Sequence, residues 1–381
     1  MSEKLLFSPM TIRGVTLKNR IVVPPMHQYS AEKGFPTDWH LMNAGKFAAG
    51  GAGLVIVEST KVERRGCGTI GDLGIWDDKF IAPLSRLAGF IKQQNAVAGI
   101  QLGHSGRKAR ASRPWEGDRP LERSAEIEDW DAWTPVAPSA IRAKTKTFVN
   151  GTFADVSEPR ALELSEIPGI IDDFKRATAN AIAAGFDGVE IHGANGYLLD
   201  QFAKDGTNKR TDAYGGSIEN RAKLMLEVSK AVVGEAGGDR TGIRISPVTP
   251  ANDVSDSNPQ PLFDYIVDHL NALKLTYIHV IEGATGGPRD NAPFDYASLR
   301  KRFKQAYIAN NGYDFALAEK VLEAGAADLI AFGKPFISNP DLVERLKAGA
   351  PLNEWDKATF YGGGAKGYTD YPTLKATEAA E

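Results

Sequence analysis

"IAAGFDGVEIHG", residues 182–193, runs from a helix end through a glycine and a short turn into an apolar strand. Gly185 suits the cap, since glycine enters the left-handed conformation that ends a helix without steric penalty. Gly188–His192 then reads as a strand covered on both faces. The unit returns as "FAAGGAGLVIVES" (47–59) and "LEAGAADLIAFG" (322–333). Working outward from these copies, strands are expected at Arg20–Pro25, Gly53–Glu58, Val97–Leu102, Gly188–His192, Gly242–Ser246, Thr276–Ile281, Ala306–Ala309 and Asp328–Phe332. Helical spacing lies between them, for instance at Trp39–Ala49, Ile167–Ala184, Ser217–Val233 and Phe315–Ala324. Strands alternating with helices in this way predict an α/β fold, a closed parallel (β/α)8 TIM barrel. A doubly wound open sheet is the alternative, and no GxGxxG joins an early expected strand directly to a helix, as its dinucleotide site would need.

A chain of 381 residues with 42% hydrophobic content fits one barrel domain, expected over residues 1–365, with an extended C-terminal tail over 366–381. The long connection 103–165 breaks the rhythm. It carries Trp115, Trp130 and Trp133, and its "VNGTF" (149–153) reads as a hairpin with an Asn-Gly turn. Connections of this size inside a domain usually carry function or are disordered. The tail from Ala365 shows no period, and "TEAAE" (377–381) is expected to be mobile. A net charge of −3 gives no reason to expect nucleic acid or an anionic membrane as partner. The start "MSEKLLFSPM" lacks a signal-peptide pattern, and no apolar run is long enough to span a bilayer. Cys67 is the only cysteine, which excludes an intrachain disulfide. A soluble protein of a reducing, cytoplasmic compartment is the expectation.

Barrel chemistry gathers at the C-terminal strand ends. Here these carry "PPMHQYS" (24–30), Glu58-Ser59-Thr60, Gln101 with "LGHSGRKA" (102–109), then His192, Asn195 and Tyr197, Arg244, "NNGYD" (310–314) and Gly333-Lys334. The last two fit a phosphate cradle, although Gly312 alone reads equally well as a tight turn. Arg244 inside an apolar strand points to an anionic partner, because an unpaired buried charge costs several kcal/mol, with a solvated edge position as the alternative. The imidazole of His192 and the carboxamide of Asn195 are both donors, able to converge on one carbonyl oxygen, with Tyr197 as nearby acid. Local backbone bonding of His192 and simple packing of Tyr197 are the bland alternatives. His40, His104 and His192 show no metal-ligand spacing, so no metal is expected. No GxSxG nucleophile motif occurs.

"HGANGYLLDQF" (192–202), "RTDAYGGSIENR" (210–221) and "AFGKPFISNPDL" (331–342) resemble the old yellow enzymes, flavin-dependent ene-reductases built on a β/α barrel that binds FMN. The likeness runs from "FSPMTIRGVTLKNRIVVPPM" (7–26) to "FYGGGAKGYTDYPTL" (360–374). It implies that Pro25, Met26 and His27 lie beside the flavin ring, that Ser59 and Gln101 meet its pyrimidine edge, and that Arg244 faces its N1–O2 side. It further implies that Gly312, Gly333 and Lys334 hold the phosphate. His192 and Asn195 would grip the substrate carbonyl, Tyr197 would protonate the α-carbon, and Tyr29 and Tyr371 would line the substrate pocket. NADPH is the implied reductant, in preference to NADH, and activated alkenes are the implied substrates, with hydride passing to the β-carbon.

Three positions depart from the pattern. His27 stands where the branches carry Cys or Thr, and either donates a hydrogen bond near the flavin O4 or turns away to pack. Lys334 replaces the usual Arg and gives up its planar bidentate contact. Gly103 stands where one branch has Trp, which implies a roomier pocket. Features of both main branches mix along the chain, as in an intermediate lineage or a chimera. Two rival functions stay open. One is a flavin-free lyase or isomerase acting on a phosphorylated substrate through Glu58, Glu282 and Lys334. The other is a flavin-binding protein without turnover.

Overall fold

In a closed parallel barrel, alternate residues of each strand face the helices and the lumen. That alternation is visible in the barrel strands of the computed structural model, which describes residues 4–123, 127, 129–146 and 153–378. The barrel strands are β1 (Ile21–Val23), β2 (Leu54–Lys61), β3 (Val97–Gly103), β4 (Gly188–Gly193), β5 (Thr241–Ile245), β6 (Tyr277–Ile281), β7 (Ala306–Asn310) and β8 (Leu329–Ala331). They pair in sequence order, and β8 closes on β1 through Ile330↔Ile21 and Ala331↔Val22. All eight overlap the strands expected from sequence. The open-sheet alternative is excluded by the closure.

Val55 and Val57, Val189 and Ile191, Ile243 and Ile245, and Ile278 and Val280 join the large outer cluster against the helices. Those helices include α1 (Asp38–Ala49), α2 (Ile81–Gln93), α3 (Ile167–Ala183), α4 (Ile218–Ala236), α5 (Pro259–Ala272), α6 (Tyr296–Arg302), α7 (Phe315–Glu323) and α8 (Leu342–Ala348). A second cluster fills part of the lumen with Val22, Leu54, Ile56, Ile308, Leu329 and Ala331. The hairpin Met10–Ile12/Val15–Leu17 packs Met10, Ile12 and Leu17 against that cluster. Each fully buried aliphatic side chain in these layers contributes about 1.5–3 kcal/mol.

The long connection folds onto the barrel. Val136–Ala137 pairs with Arg160–Ala161, and Lys144–Lys146 pairs antiparallel with Phe153–Asp155. These are the arms of the expected hairpin; its Asn150-Gly151 turn lies outside the described residues. Trp133 is fully buried, donates Nε1–H to Cys67 O at 2.8 Å and lies under the Arg64 guanidinium at 3.8 Å. The C-terminal segment differs from the extended tail expected. Leu374–Glu378 is a short helix, and Leu374 N–H donates to Asp341 Oδ2 at 2.5 Å, so a buried acceptor in α8's leading turn fixes it. Among the described residues no helix is long and apolar enough to cross a membrane.

Candidate functional site

A bulge begins the site. The β2–β3 register runs Val57↔Ile100 and then Thr60↔Leu102, so β2 carries one extra residue beside Gln101. Bulges re-aim side chains at strand ends. Here Glu58 and Ser59 flank the irregularity. Glu58 accepts the Gln28 N–H at 2.6 Å and lies 3.1 Å from His40 Nε2. His40 Nδ1 in turn accepts the Thr37 N–H at 3.0 Å at the start of α1. Ser59 Oγ accepts from Lys61 Nζ at 2.9 Å.

Lys61 is 1% exposed, and its ammonium lies 3.5 Å from Asp72 Oδ2 and 5.4 Å from the centre of the Tyr197 ring. Asp72 also accepts from Gly68 N–H at 2.6 Å and Thr69 Oγ1 at 2.7 Å, and its Oδ1 is 3.2 Å from His27 Nε2. Burial alone would raise this carboxyl; the His27 and Lys61 charges hold it well below the usual carboxylate range. The His27 ring stacks on Tyr29 at 4.5 Å and 10°, with Nε2 toward Asp72.

Across the crevice, His192 ends β4 opposite Arg244 in register. Burial, with Arg244 and then Lys61 adding to it, pushes the imidazole far below its ordinary value, so it is neutral. Its Nδ1 has no protein partner among the described residues. Asn195 is left-handed (φ 60°), a conformation asparagine tolerates, with its N–H on Ser246 Oγ at 2.8 Å. Thr285 Oγ1 donates to its Oδ1 at 2.7 Å. With that oxygen occupied, Nδ2 is the end of the carboxamide left to meet a ligand. The Tyr197 ring sits 4.9 Å from the His192 ring in an edge-on arrangement. Burial first, and the Asp72 carboxylate second, raise the Tyr197 phenol above its ordinary value, keeping it protonated near neutral pH.

Arg244 is 7% exposed, and burial pushes its guanidinium down to about 10. Nη2 donates to Asn310 Oδ1 at 2.6 Å, while Nε has no partner among the described residues. Asn310 ends β7, two residues before Gly312. Gly312 has φ +69°, and a Cβ there would meet nothing nearer than Arg289 Cδ at 3.7 Å, so the loop is both glycine-requiring and open. Around it stand Arg289, stacked over Tyr313 at 4.3 Å, and Lys334, whose Nζ donates to Gly286 O at 3.0 Å. Met26 packs close to Gly333, joining the ends of β1 and β8.

FMN fits this set. An unpaired buried guanidinium nitrogen suits the N1–O2 edge of a flavin, and an open glycine loop with Lys334 and the Glu282-paired Arg289 suits a phosphate. Gln101 on β3 and Ser59 on β2 add further donors and acceptors at the same end of the barrel.

Some expected placements change. Tyr371 accepts the Asp356 N–H at 3.0 Å; the tyrosine brought to Tyr29 is Tyr361, at 6.2 Å. The space beside Gly103 is filled, since a Cβ there would overlap Ser59 Oγ and press on His192. The carboxylates of the rival lyase reading are consumed elsewhere. Glu282 accepts from Tyr307 at 3.0 Å, Tyr313 at 2.6 Å and Arg289 at 2.5 Å, and Glu58 is held as described. Lys61, Glu190 and His279 were missed by sequence reasoning although each is an ionisable residue in an apolar strand, the signal that singled out Arg244. Asp72, Thr285 and Tyr361 lie in connections that carry no such signal.

Comparison with known proteins agrees. A family model described as the NADH:flavin oxidoreductase / NADH oxidase family matches residues 5–353. The chain is 38% identical over 375 residues to a putative 12-oxophytodienoate reductase 3 of Oryza sativa subsp. japonica, covering 97% of this chain and 93% of that one. It is 35% identical to a probable flavin mononucleotide-dependent alkene reductase of Leishmania infantum, covering 98% of each. The old yellow enzyme homologue from Zymomonas mobilis superposes with a TM-score of 0.85 at 34% identity, over 97% of this chain and 99% of that one.

Proposed function

We propose that this chain, which belongs to the NADH:flavin oxidoreductase / NADH oxidase family of old yellow enzymes, reduces the activated carbon–carbon double bond of α,β-unsaturated aldehydes, ketones, maleimides or nitroalkenes. Bound FMN supplies the hydride chemistry, refilled by NADPH in preference to NADH. His192 and Asn195 bind the carbonyl oxygen and draw electron density toward it, which makes the β-carbon electrophilic. Tyr197 donates its proton at the α-carbon. Arg244 stabilises negative charge at the flavin's pyrimidine edge, Gln101 and Ser59 meet that edge, and Gly312, Gly333 and Lys334 hold the phosphate. Pro25, Met26 and His27 border the ring, and Tyr29 with Tyr361 shapes the substrate side. A cytoplasmic setting, where thiols stay reduced, is part of the proposal.

The observation that carries this reading is the Asn195 carboxamide. Thr285 fixes its oxygen, so its N–H₂ is presented beside a neutral His192 and a protonated Tyr197. On this reading two donors and one acid serve one carbonyl compound. Anaerobic stopped-flow tests it. NADPH should bleach the bound flavin, and 2-cyclohexenone should restore the colour. Tyr197→Phe should slow only the second half, by about 10²–10⁴, the usual worth of a general acid. Colour restored at the wild-type rate in that variant would remove Tyr197 from its role. Colourless protein would remove the flavin reading.

A further inference from the structure

The lumen is divided. β1, β2, β7 and β8 line it with Val22, Leu54, Ile56, Ile308 and Leu329. On β3–β6 the residues alternating with the outward aliphatics are Gln101, Glu190, Arg244 and His279, all buried. Glu190 is their hub, at 0% exposure. Its Oε1 accepts from Gln101 Nε2 at 2.8 Å, and its Oε2 lies 2.8 Å from His279 Nδ1. The Tyr277 hydroxyl is also hydrogen-bonded to it. Gly242 stands between Glu190 and Tyr277 in the register, and a Cβ there would overlap the Tyr277 ring, so glycine clears that ring's path to the carboxylate.

A carboxylate accepts and cannot donate. His279 therefore carries its proton on Nδ1. Gln101 must present Nε2 to Glu190, which leaves Oε1, an acceptor, as its end for a ligand. On the neighbouring element Arg244 offers only donors. A pyrimidine-dione edge carries an N3–H donor flanked by carbonyl acceptors, the complement of that pair. The Glu190 charge also lies near enough to Arg244 to act on its guanidinium.

We propose that Glu190 is a positioning residue: it fixes the polarity of Gln101 toward the N3–H of the flavin and, as a buried anion beneath the pyrimidine edge, sets how readily the flavin is reduced. It touches neither substrate nor reacting atoms. The inference rests on the proposed FMN site. Glu190→Gln retains an oxygen for Gln101 and removes the charge, while His279 accommodates the new amide by moving its proton to Nε2. Glu190→Leu removes both.

The test reconstitutes wild type and both variants with FMN labelled with ¹⁵N at N3, then measures the N3–H resonance and the midpoint potential of each. Glu190→Gln should keep the N3–H at its hydrogen-bonded position and raise the potential by a tenfold or larger change in the reduction equilibrium, about 30 mV for a two-electron couple. Glu190→Leu should raise the potential and also move the N3–H toward its position in free FMN. Equal potentials in the three proteins would overturn the proposal, because a merely structural role would leave the potential unmoved in any variant that still binds FMN. If neither variant folds, the wild type decides: an N3–H resonance matching free FMN in water overturns it. Failure of the wild type to bind FMN would instead overturn the site beneath it.

Discussion

Replacing Lys61 by methionine isolates the electrostatics behind Tyr197. The Lys61 side chain is 1% exposed and that of Asp72 is 0%, with Nζ 3.5 Å from Oδ2 and 2.9 Å from Ser59 Oγ. Methionine keeps most of the stem and its packing but removes the charge. Asp72 then retains the Gly68 N–H, the Thr69 hydroxyl and His27. Removing one member of a buried pair costs about 3–5 kcal/mol. Those remaining partners place this site at the lower end, about 3 kcal/mol. With an unfolding entropy of about 2.1 cal/mol/K per residue, a chain of this length loses roughly 4 °C in Tm. Urea unfolding of Lys61→Met, Asp72→Asn and the double variant measures the effect as a cycle. The double variant should be more stable than the sum of the single losses by at least about 1 kcal/mol. A Lys61→Met protein within about 0.5 kcal/mol of wild type, as for an ordinary surface change, would refute the buried pair.

Thr285→Val removes the donor that orients Asn195 and lets its carboxamide turn. A neutral hydrogen bond of about 0.5–1.5 kcal/mol is lost, so KM for an enone should rise by about 2- to 12-fold while flavin reduction by NADPH is unchanged; steady-state and single-turnover kinetics separate the two, and an unchanged KM would refute the orienting role. Acid should destabilise the protein through Asp72. Its folded value lies below the unfolded one near 3.9, so the stability it contributes is complete above that value and is lost as pH falls from about 4 toward the folded value. Urea midpoints followed against pH should show a shallower acid slope in Asp72→Asn, and a slope equal to wild type would assign the loss to other carboxylates.

The barrel was legible because its signal is repeated and local. Gly185, Gly325 and the aliphatic runs behind them mark helix end and strand start with the same few residues, and each copy supports the next. Arg244 was legible for the opposite reason, as a charge that contradicts its apolar strand. Glu190 breaks the same rule in "GVEIHG" yet went unused, because a lone carboxylate in a strand names no partner until the register brings Gln101 beside it. Tyr371 and Tyr361 are ten residues apart in a segment rich in glycine and tyrosine, and no periodicity distinguishes which one reaches Tyr29. The pocket beside Gly103 was misjudged for a further reason. Absence of a side chain leaves space only if neighbours do not take it, and here the bulge at Glu58–Ser59 swings Ser59 into it.

The division of the lumen explains how one cylinder serves both stability and redox chemistry. Its apolar half, sealed by the Met10–Leu17 hairpin, gains its free energy from burial alone and needs no ligand. Its polar half is largely satisfied internally, although His279 Nε2 has no partner among the described residues. Glu190 collects Gln101, His279 and Tyr277, and Asn310 takes one Arg244 nitrogen, yet Arg244 Nε and His192 Nδ1 stay without partners. Each such atom costs about 1–3 kcal/mol while it is unmet. On the proposed reading an anionic heterocycle and a carbonyl would supply partners at these two atoms. On the proposed reading, unpartnered nitrogen atoms held on strands would meet the ligand with little reorganisation when charge develops there. The hydroxyls and the amide around them, on Ser59, Thr285 and Asn195, are each tied by a second residue.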